Sequence, residues 1–226
     1  PGCKPHHKDD IEWYKDYLNR QMEKLDVEVR LGTIATPELV AKDNPYAVFV
    51  AVGADSFIPS SINGIQNDKV ITAEKLLNED VSIKKGQKAV VIGGGLTGCE
   101  VAEMLAKTGV KASLVEMLPQ IAPGTHPINM ISIQQELKKS GVDIKTQRKL
   151  LEVKEDHILV ENTESGQSEK IPADWVILGL GLEKPADDKL LAWKESFDRV
   201  KVIGDAMAPR RVAQAVREGF DAAWVL

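Results

Sequence analysis

Apolar residues recur at steps of three and four over 8–25, where Ile11, Tyr14, Leu18, Met22 and Leu25 form one stripe and predict a helix. Val27-Glu28-Val29-Arg30-Leu31 then alternates at period two, the pattern of a half-buried strand, and Gly32 ends it. Thr36-Pro37-Glu38 sets an N-cap before a proline at the first helical position. Ala47–Val52 is a continuous apolar run closed by Gly53, which predicts a strand covered on both faces. Residues 53–68 are rich in Gly, Pro, Ser and Asn and predict a loop. Thr72–Asn78 predicts a short helix.

From residue 86 a second rhythm begins. Lys88–Ile92 is a short apolar strand, followed by glycines and a helix over about 96–108 that Gly109 stops. Lys111–Glu116 predicts the next strand, Pro127–Lys139 a helix with Gly141 just behind it, and Val142–Lys145 a further strand. Residues 150–171 predict antiparallel strands turning at Glu155-Asp156 and Ser165-Gly166. Asp174–Leu178 is again a buried strand, Val200–Ile203 a last strand and Val212–Leu226 a last helix. Strands alternating with helices predict an α/β protein with parallel sheets. Ala51-Val52-Gly53 and Gly179-Leu180-Gly181 both close a buried run with small-x-Gly, and Pro59 and Pro185 follow each. Two similar crossings of the chain between domains would produce that echo.

The residues that carry chemistry lie in Val90-Val91-Ile92-Gly93-Gly94-Gly95-Leu96-Thr97-Gly98. Gly93, Gly95 and Gly98 fit G-x-G-x-x-G, with an apolar strand before and a helix after. Gly93 serves a tight turn, Gly95 admits a pyrophosphate to the backbone, and Gly98 lets helix and strand pack closely. Free N–H groups at the helix start, aided by the helix dipole, then hold phosphates. The following strand ends on Glu116, 18 residues beyond Gly98. An acid there accepts hydrogen bonds from adenosine ribose hydroxyls and repels a 2′-phosphate. Met117-Leu118-Pro119-Gln120 supplies no Arg or Lys to neutralise one, so the expected cofactor is NADH rather than NADPH.

Composition narrows the classes. Of 226 residues, 29 are basic and 34 acidic, for a net charge of −5, which argues against a phosphate-tracking nucleic-acid binder or an anionic-membrane binder. Two cysteines, Cys3 and Cys99, make no disulfide framework, and neither sits at CxxC or CxxxxC spacing. A reducing, cytoplasmic setting is the expectation, with no signal peptide at the start and no apolar run long enough to span a bilayer. Cys3, His6 and His7 are metal-capable, but His126 and His157 add no ligand-like spacing, so a mobile arm and no metal site is expected. Cys99 is expected to be a small buried hydrophobe, although a helix start can lower a thiol pKa. Trp13, Trp175 and Trp224 fall on apolar patterns and are expected to pack, while Trp193 is open. The first residue is not Met, and Trp224-Val225-Leu226 carries no helix stop, so a piece of a longer chain is expected.

A second signal is Val200–Ile203 entering Gly204-Asp205-Ala206, then Pro209-Arg210-Arg211-Val212-Ala213. With the Gly95 motif, the two small-x-Gly ends, Lys8-Asp9-Asp10 and Val27–Leu31, the chain resembles the C-terminal nucleotide-binding region of the NADH:flavin oxidoreductases of the trimethylamine dehydrogenase, 2,4-dienoyl-CoA reductase and 2-enoate reductase family. The resemblance covers essentially the whole chain. It implies a Rossmann-like NAD(P)-binding domain (80–185) inserted in a partial FAD- or ADP-binding domain (1–79 and 186–226). The first strand–GxGxxG–helix unit of the latter would lie upstream, with a flavin barrel. By the same resemblance Asp205, after Gly204, bonds a flavin ribityl hydroxyl, and Val212 and Ala213 offer N–H groups to the pyrophosphate or isoalloxazine. Ala51 and Gly53 line the first crossing, with Val52 where Thr is usual, and Gly181 the second. Glu100 falls near where nicotinamide would meet flavin, although a solvated first-turn acid is an equal reading. The implied role is NADH-driven electron input to a flavin, and onward to an unsaturated substrate held elsewhere. The alternative is a structural nucleotide (ADP) module without hydride transfer. A homo-oligomer is left open.

Overall fold

The computed structural model describes residues 4–5, 8–78 and 81–226. Cys3, His6 and His7 lie outside them, as does the expected domain boundary at 79/80. The elements run α1 (Asp9–Lys24), α2 (Pro37–Ala41), β1 (Val48–Val50), β2 (Asp55–Ser56), β3 (Val70–Thr72), α3 (Ala73–Asn78), β4 (Lys88–Ile92), α4 (Leu96–Lys107), β5 (Lys111–Val115) and α5 (Pro127–Lys139). They continue as β6 (Asp143–Lys145), β7 (Arg148–Val153), β8 (His157–Asn162), β9 (Ser168–Pro172), β10 (Trp175–Leu178), β11 (Leu182–Glu183), α6 (Asp187–Ser196), β12 (Val200–Val202), a 3₁₀ turn (Gly204–Ala206) and α7 (Val212–Trp224). The chain divides into two compact units. One holds the described residues up to Asn19 together with Ile58–Gly181, and the other Arg20–Phe57 with Leu182–Leu226.

The first unit has three layers. Its centre is a parallel sheet in the order β3-β10-β4-β5-β6. Period-two alternation sends successive side chains of each strand to opposite faces. Ala89 and Val91 of β4 join Ala112 and Leu114 of β5 against Val101, Ala102 and Leu105 of α4 and Leu137 of α5. Val90 and Ile92 face the other way, with Val115, Val176 and Leu178, onto Leu150, Ile158, Val160 and Ile171. Those last four come from the antiparallel sheet β7-β8-β9, whose turns fall where the sequence places them. The central strands β4 and β10 read as nearly unbroken apolar runs because both of their faces are covered.

The second unit is smaller. β1 and β12 pair in parallel, with Val48 opposite Val200 and Val50 opposite Val202. Val48, Val50 and Leu190 form its core, with Trp193 and Phe197 packed against it and stacked at 6.3 Å. That settles Trp193 as packing, on a helix (α6) that the sequence pattern did not announce. β2 and β11 form a short antiparallel pair.

Three local expectations are corrected. Val27–Leu31 is not a strand. A strand needs a ladder partner, and among the described residues none pairs with it; Arg30 is instead tied to Glu28 and Asp43 at 2.7 and 2.8 Å. Ala47–Val52 is not covered on both faces, because Phe49 of β1 remains 37% exposed. Trp13 and Trp224 do not pack into a core, at 67% and 79% exposure; Trp175 does pack. Trp224 ends an outward stripe on α7 formed by Val212, Val216 and Phe220 at steps of four.

Candidate functional site

β4 lies between β10 and β5, so the chain leaves it in one direction while its other neighbour arrives from far along the sequence. Ligands of open α/β sheets settle at the carboxyl end of such a switch point. The glycine turn is built there. Gly93 N–H donates to Val115 O and Gly179 N–H to Ile92 O, both at 2.8 Å, which ties the turn to both flanking strands. Gly93 has φ +103°, and a Cβ on it would strike the Gly179 carbonyl. A Cβ on Gly98 would overlap the Gly93 carbonyl oxygen, so the helix sits directly on the turn. Gly94 is closed in too, since a Cβ there would lie 2.9 Å from Glu116 Cβ and from Ile121 Cγ2.

Gly95 differs from its neighbours. Among the described residues nothing lies within 4 Å of where its Cβ would be, and its backbone (φ −67°, ψ 179°) is one that any residue adopts. Neither packing nor conformation in the protein requires glycine here. Gly95 caps α4 without any side-chain hydrogen bond, and the first turn contains no acid. The first bond inside the helix runs from Cys99 N–H to Gly95 O at 3.0 Å. The N–H groups of Leu96, Thr97 and Gly98 therefore have no intrahelical acceptor. Open space above an uncapped helix start fits a phosphate group.

Glu116 follows β5 and is only 7% exposed. Its Oε2 accepts from Gly94 N–H at 2.6 Å and its Oε1 from Leu118 N–H at 2.8 Å. Each oxygen keeps a second lone pair for a ribose hydroxyl. An open cleft of about 440 Å³ adjoins this loop, lined by Pro119, Gln120, Ile121, Lys138 and Thr146 among others. Sequence reading missed the cleft, because its two sides come from segments about 25 residues apart that only the β5–β6 pairing unites. It missed the pairing of Lys8 with Glu100 as well, with Lys8 Nζ 2.6 Å from Glu100 Oε1. Glu100 is thus neither free nor fully solvated. Cys99 is buried, and burial, then Glu100 and Glu116, push its thiol up to about 12. The helix start does not activate it. Among the described residues no cluster of His, Cys, Asp and Glu could hold a metal ion, and no helix is long and apolar enough to cross a membrane.

The remaining expected residues sit in two groups. Ala51 follows β1 and Gly204 follows β12, so the two stand past the carboxyl ends of paired parallel strands. Gly204 takes φ +61° and its N–H donates to Glu218 Oε2 at 2.8 Å; Glu218 also pairs with Arg210. Asp205 Oδ1 accepts from Arg210 N–H at 3.0 Å. Val212 and Ala213 open α7, which has no side-chain cap, and the first bond within it is from Gln214 N–H to Arg211 O at 3.0 Å. Gly53 (φ +75°) and Gly181 (φ +91°) precede β2 and β11. Gly181 closes the unit that holds the Gly93–Gly98 turn, while Ala51, Gly53, Gly204, Asp205, Val212 and Ala213 belong to the other.

Fold and turn together define a nucleotide-binding α/β protein of the two-unit flavoprotein type. The sequence pattern of the pyridine nucleotide-disulphide oxidoreductases matches residues 14–219, and the chain belongs to that family. It is 33% identical over 216 residues to an NADH oxidase of Thermoanaerobacter brockii, covering 95% of this chain and 33% of that protein. It is 34% identical over 223 residues to a bilirubin reductase of Mediterraneibacter gnavus, covering 98% and 34%. Among solved structures, a 2-naphthoyl-CoA reductase superposes with a TM-score of 0.89 at 25% identity, over 98% of this chain and 33% of that one. A histamine dehydrogenase from Rhizobium sp. 4-9 has the same fold, with a TM-score of 0.82 at 22% identity, over 97% and 36%. The chain spans about a third of the length of the curated relatives it matches. The expected α/β class and family are those found, and the family is one of NAD(P)-linked flavin oxidoreductases.

Proposed function

We propose that this chain is the NADH-binding, flavin-linked electron-input part of a flavoprotein oxidoreductase. The observation that carries the proposal is the open face of Gly95 at the uncapped start of α4, beside the anchored carboxylate of Glu116. In this reading the N–H groups of Leu96, Thr97 and Gly98 take the pyrophosphate. Glu116 takes the adenosine ribose hydroxyls and disfavours a 2′-phosphate, and the cleft at Gln120 and Thr146 receives the adenine. In the second unit, the N–H groups of Val212 and Ala213 and the carboxylate of Asp205 hold the pyrophosphate and ribityl parts of a flavin nucleotide. Bound NADH and flavin supply the hydride transfer. No side chain is assigned as a general acid or base; the residues bind, orient and exclude. By resemblance, electrons continue to an unsaturated substrate at a flavin barrel of the same full-length protein.

The test is calorimetric titration with NADH and NADPH after recording the visible spectrum. NADH binding with a clear preference over NADPH supports the assignment, and bleaching of a flavin band by NADH supports the electron-input role. Nucleotide binding without flavin reduction in the full-length protein favours a structural ADP module instead. A protein that binds neither nucleotide overturns the reading.

A further inference from the structure

Glu100 lies two residues past Gly98 on α4. Helical side chains lean toward the N-terminus of their helix, so its carboxylate is directed at the turn carrying the Leu96, Thr97 and Gly98 N–H groups. A negative charge in that place opposes an incoming pyrophosphate. The charge is matched by Lys8, which comes from the entrance of α1 and places Nζ 2.6 Å from Glu100 Oε1. The backbone of Lys8 is fixed, since its carbonyl accepts from Ile11 N–H at 3.0 Å, and Pro5 just upstream is buried. Both side chains are about two-thirds covered, with 33% and 28% exposed. Ion pairs of that exposure add little to stability, so holding the fold together is a weak reason for the contact.

We propose that Lys8 is the charge-compensating residue of the dinucleotide site. It neutralises Glu100 so that the start of α4 accepts a doubly charged pyrophosphate. Lys8 acts through Glu100 and does not itself touch the dinucleotide. The inference rests on the nucleotide reading given above.

The test compares NADH dissociation constants for the wild type, Lys8→Met, and Lys8→Met combined with Glu100→Gln, each at low and high salt. Lys8→Met should weaken NADH binding about three- to tenfold at low salt, the scale of one unscreened charge about one helical turn away. The loss should shrink in concentrated salt. Adding Glu100→Gln should restore the affinity, while melting temperatures stay close together. Wild-type affinity in Lys8→Met overturns the proposal. So does a double variant as weak as Lys8→Met, because Lys8 would then act on something other than Glu100. A wild type that binds no NADH defeats the nucleotide reading, and this inference with it, which separates the two failures.

Discussion

Gly95→Val separates binding from folding. The Gly95 backbone is extended, with φ −67° and ψ 179°, so a β-branched residue adopts it without strain. Among the described residues no atom lies within 4 Å of the new Cβ. The substitution also lowers the entropy of the unfolded chain, which offsets the weaker N-capping of a residue other than glycine. The net change in stability should stay within about 1 kcal/mol. Binding should respond very differently. In the proposed reading, the isopropyl group occupies the space through which a pyrophosphate would reach the first-turn N–H groups. Losing two hydrogen bonds to a charged group, at about 1.5–3 kcal/mol each, costs about 3–6 kcal/mol, a weakening of two to four orders of magnitude. Gly98→Ala is the opposing control. Its methyl must overlap the Gly93 carbonyl oxygen, and it should unfold the unit or lower stability by about 3 kcal/mol or more. Thermal unfolding and NADH titration of both variants check the contrast. A folded Gly95→Val protein that binds NADH like the wild type refutes the reasoning, and so does a Gly95→Val protein as unstable as Gly98→Ala.

Other outcomes follow from the same geometry. Glu116→Ala removes the acceptor of two backbone N–H groups, one of them at the closed-in Gly94, and should lower stability by about 2–4 kcal/mol as well as weakening NADH binding; denaturant titration measures the first and calorimetry the second. Cys99 should resist thiol reagents at pH 8 until the protein unfolds, because its thiol is pushed up to about 12. With the folded pKa above the unfolded one, its contribution is full below about 9 and fades as pH rises toward about 12, a decline that Cys99→Ala should reduce in alkaline melts. Hydrogen bonding from Lys145, then Arg148, holds Glu169 below its usual carboxylate range, so that contribution is present above pH 4.5 and is lost as pH falls further. Glu169 is partly exposed, so Glu169→Gln should flatten acid unfolding only slightly, by under about 1 kcal/mol.

The parallel core was legible because doubly covered strands such as Lys88–Ile92 and Trp175–Leu178 carry unbroken apolar runs that glycines terminate. α5 was legible from the proline at its start and Gly141 behind it. The second unit was harder to read. Val27–Leu31 alternates like a strand, but alternation records a capacity to pair and not the presence of a partner. α6 carries Leu190 and Trp193 toward a small core but leaves Leu191 exposed, so its periodicity is faint. At the site, G-x-G-x-x-G and the acid after the next strand were visible as types at set spacings. Their hydrogen bond was not, because a local pattern does not reveal that the acid points back at the turn. The contact of Lys8 with Glu100 was invisible for the same reason, since only the tertiary fold brings the two together.

If Glu116 holds the adenosine ribose as proposed, its bond from Gly94 N–H makes coenzyme preference and turn geometry a single property of this protein. An engineer who wanted NADPH in place of NADH would replace the acid with a small or basic residue. Here that exchange also strips a buried amide of its acceptor and loosens the glycine turn before α4. A successful exchange has to supply a new neutral acceptor to Gly94, such as a serine hydroxyl or an asparagine carbonyl. It must also place the new positive charge elsewhere, on the rim formed by Gln120 and Lys138. Cofactor choice in this molecule is an exchange of at least two residues, and single substitutions at Glu116 should yield proteins that have lost NADH without gaining NADPH.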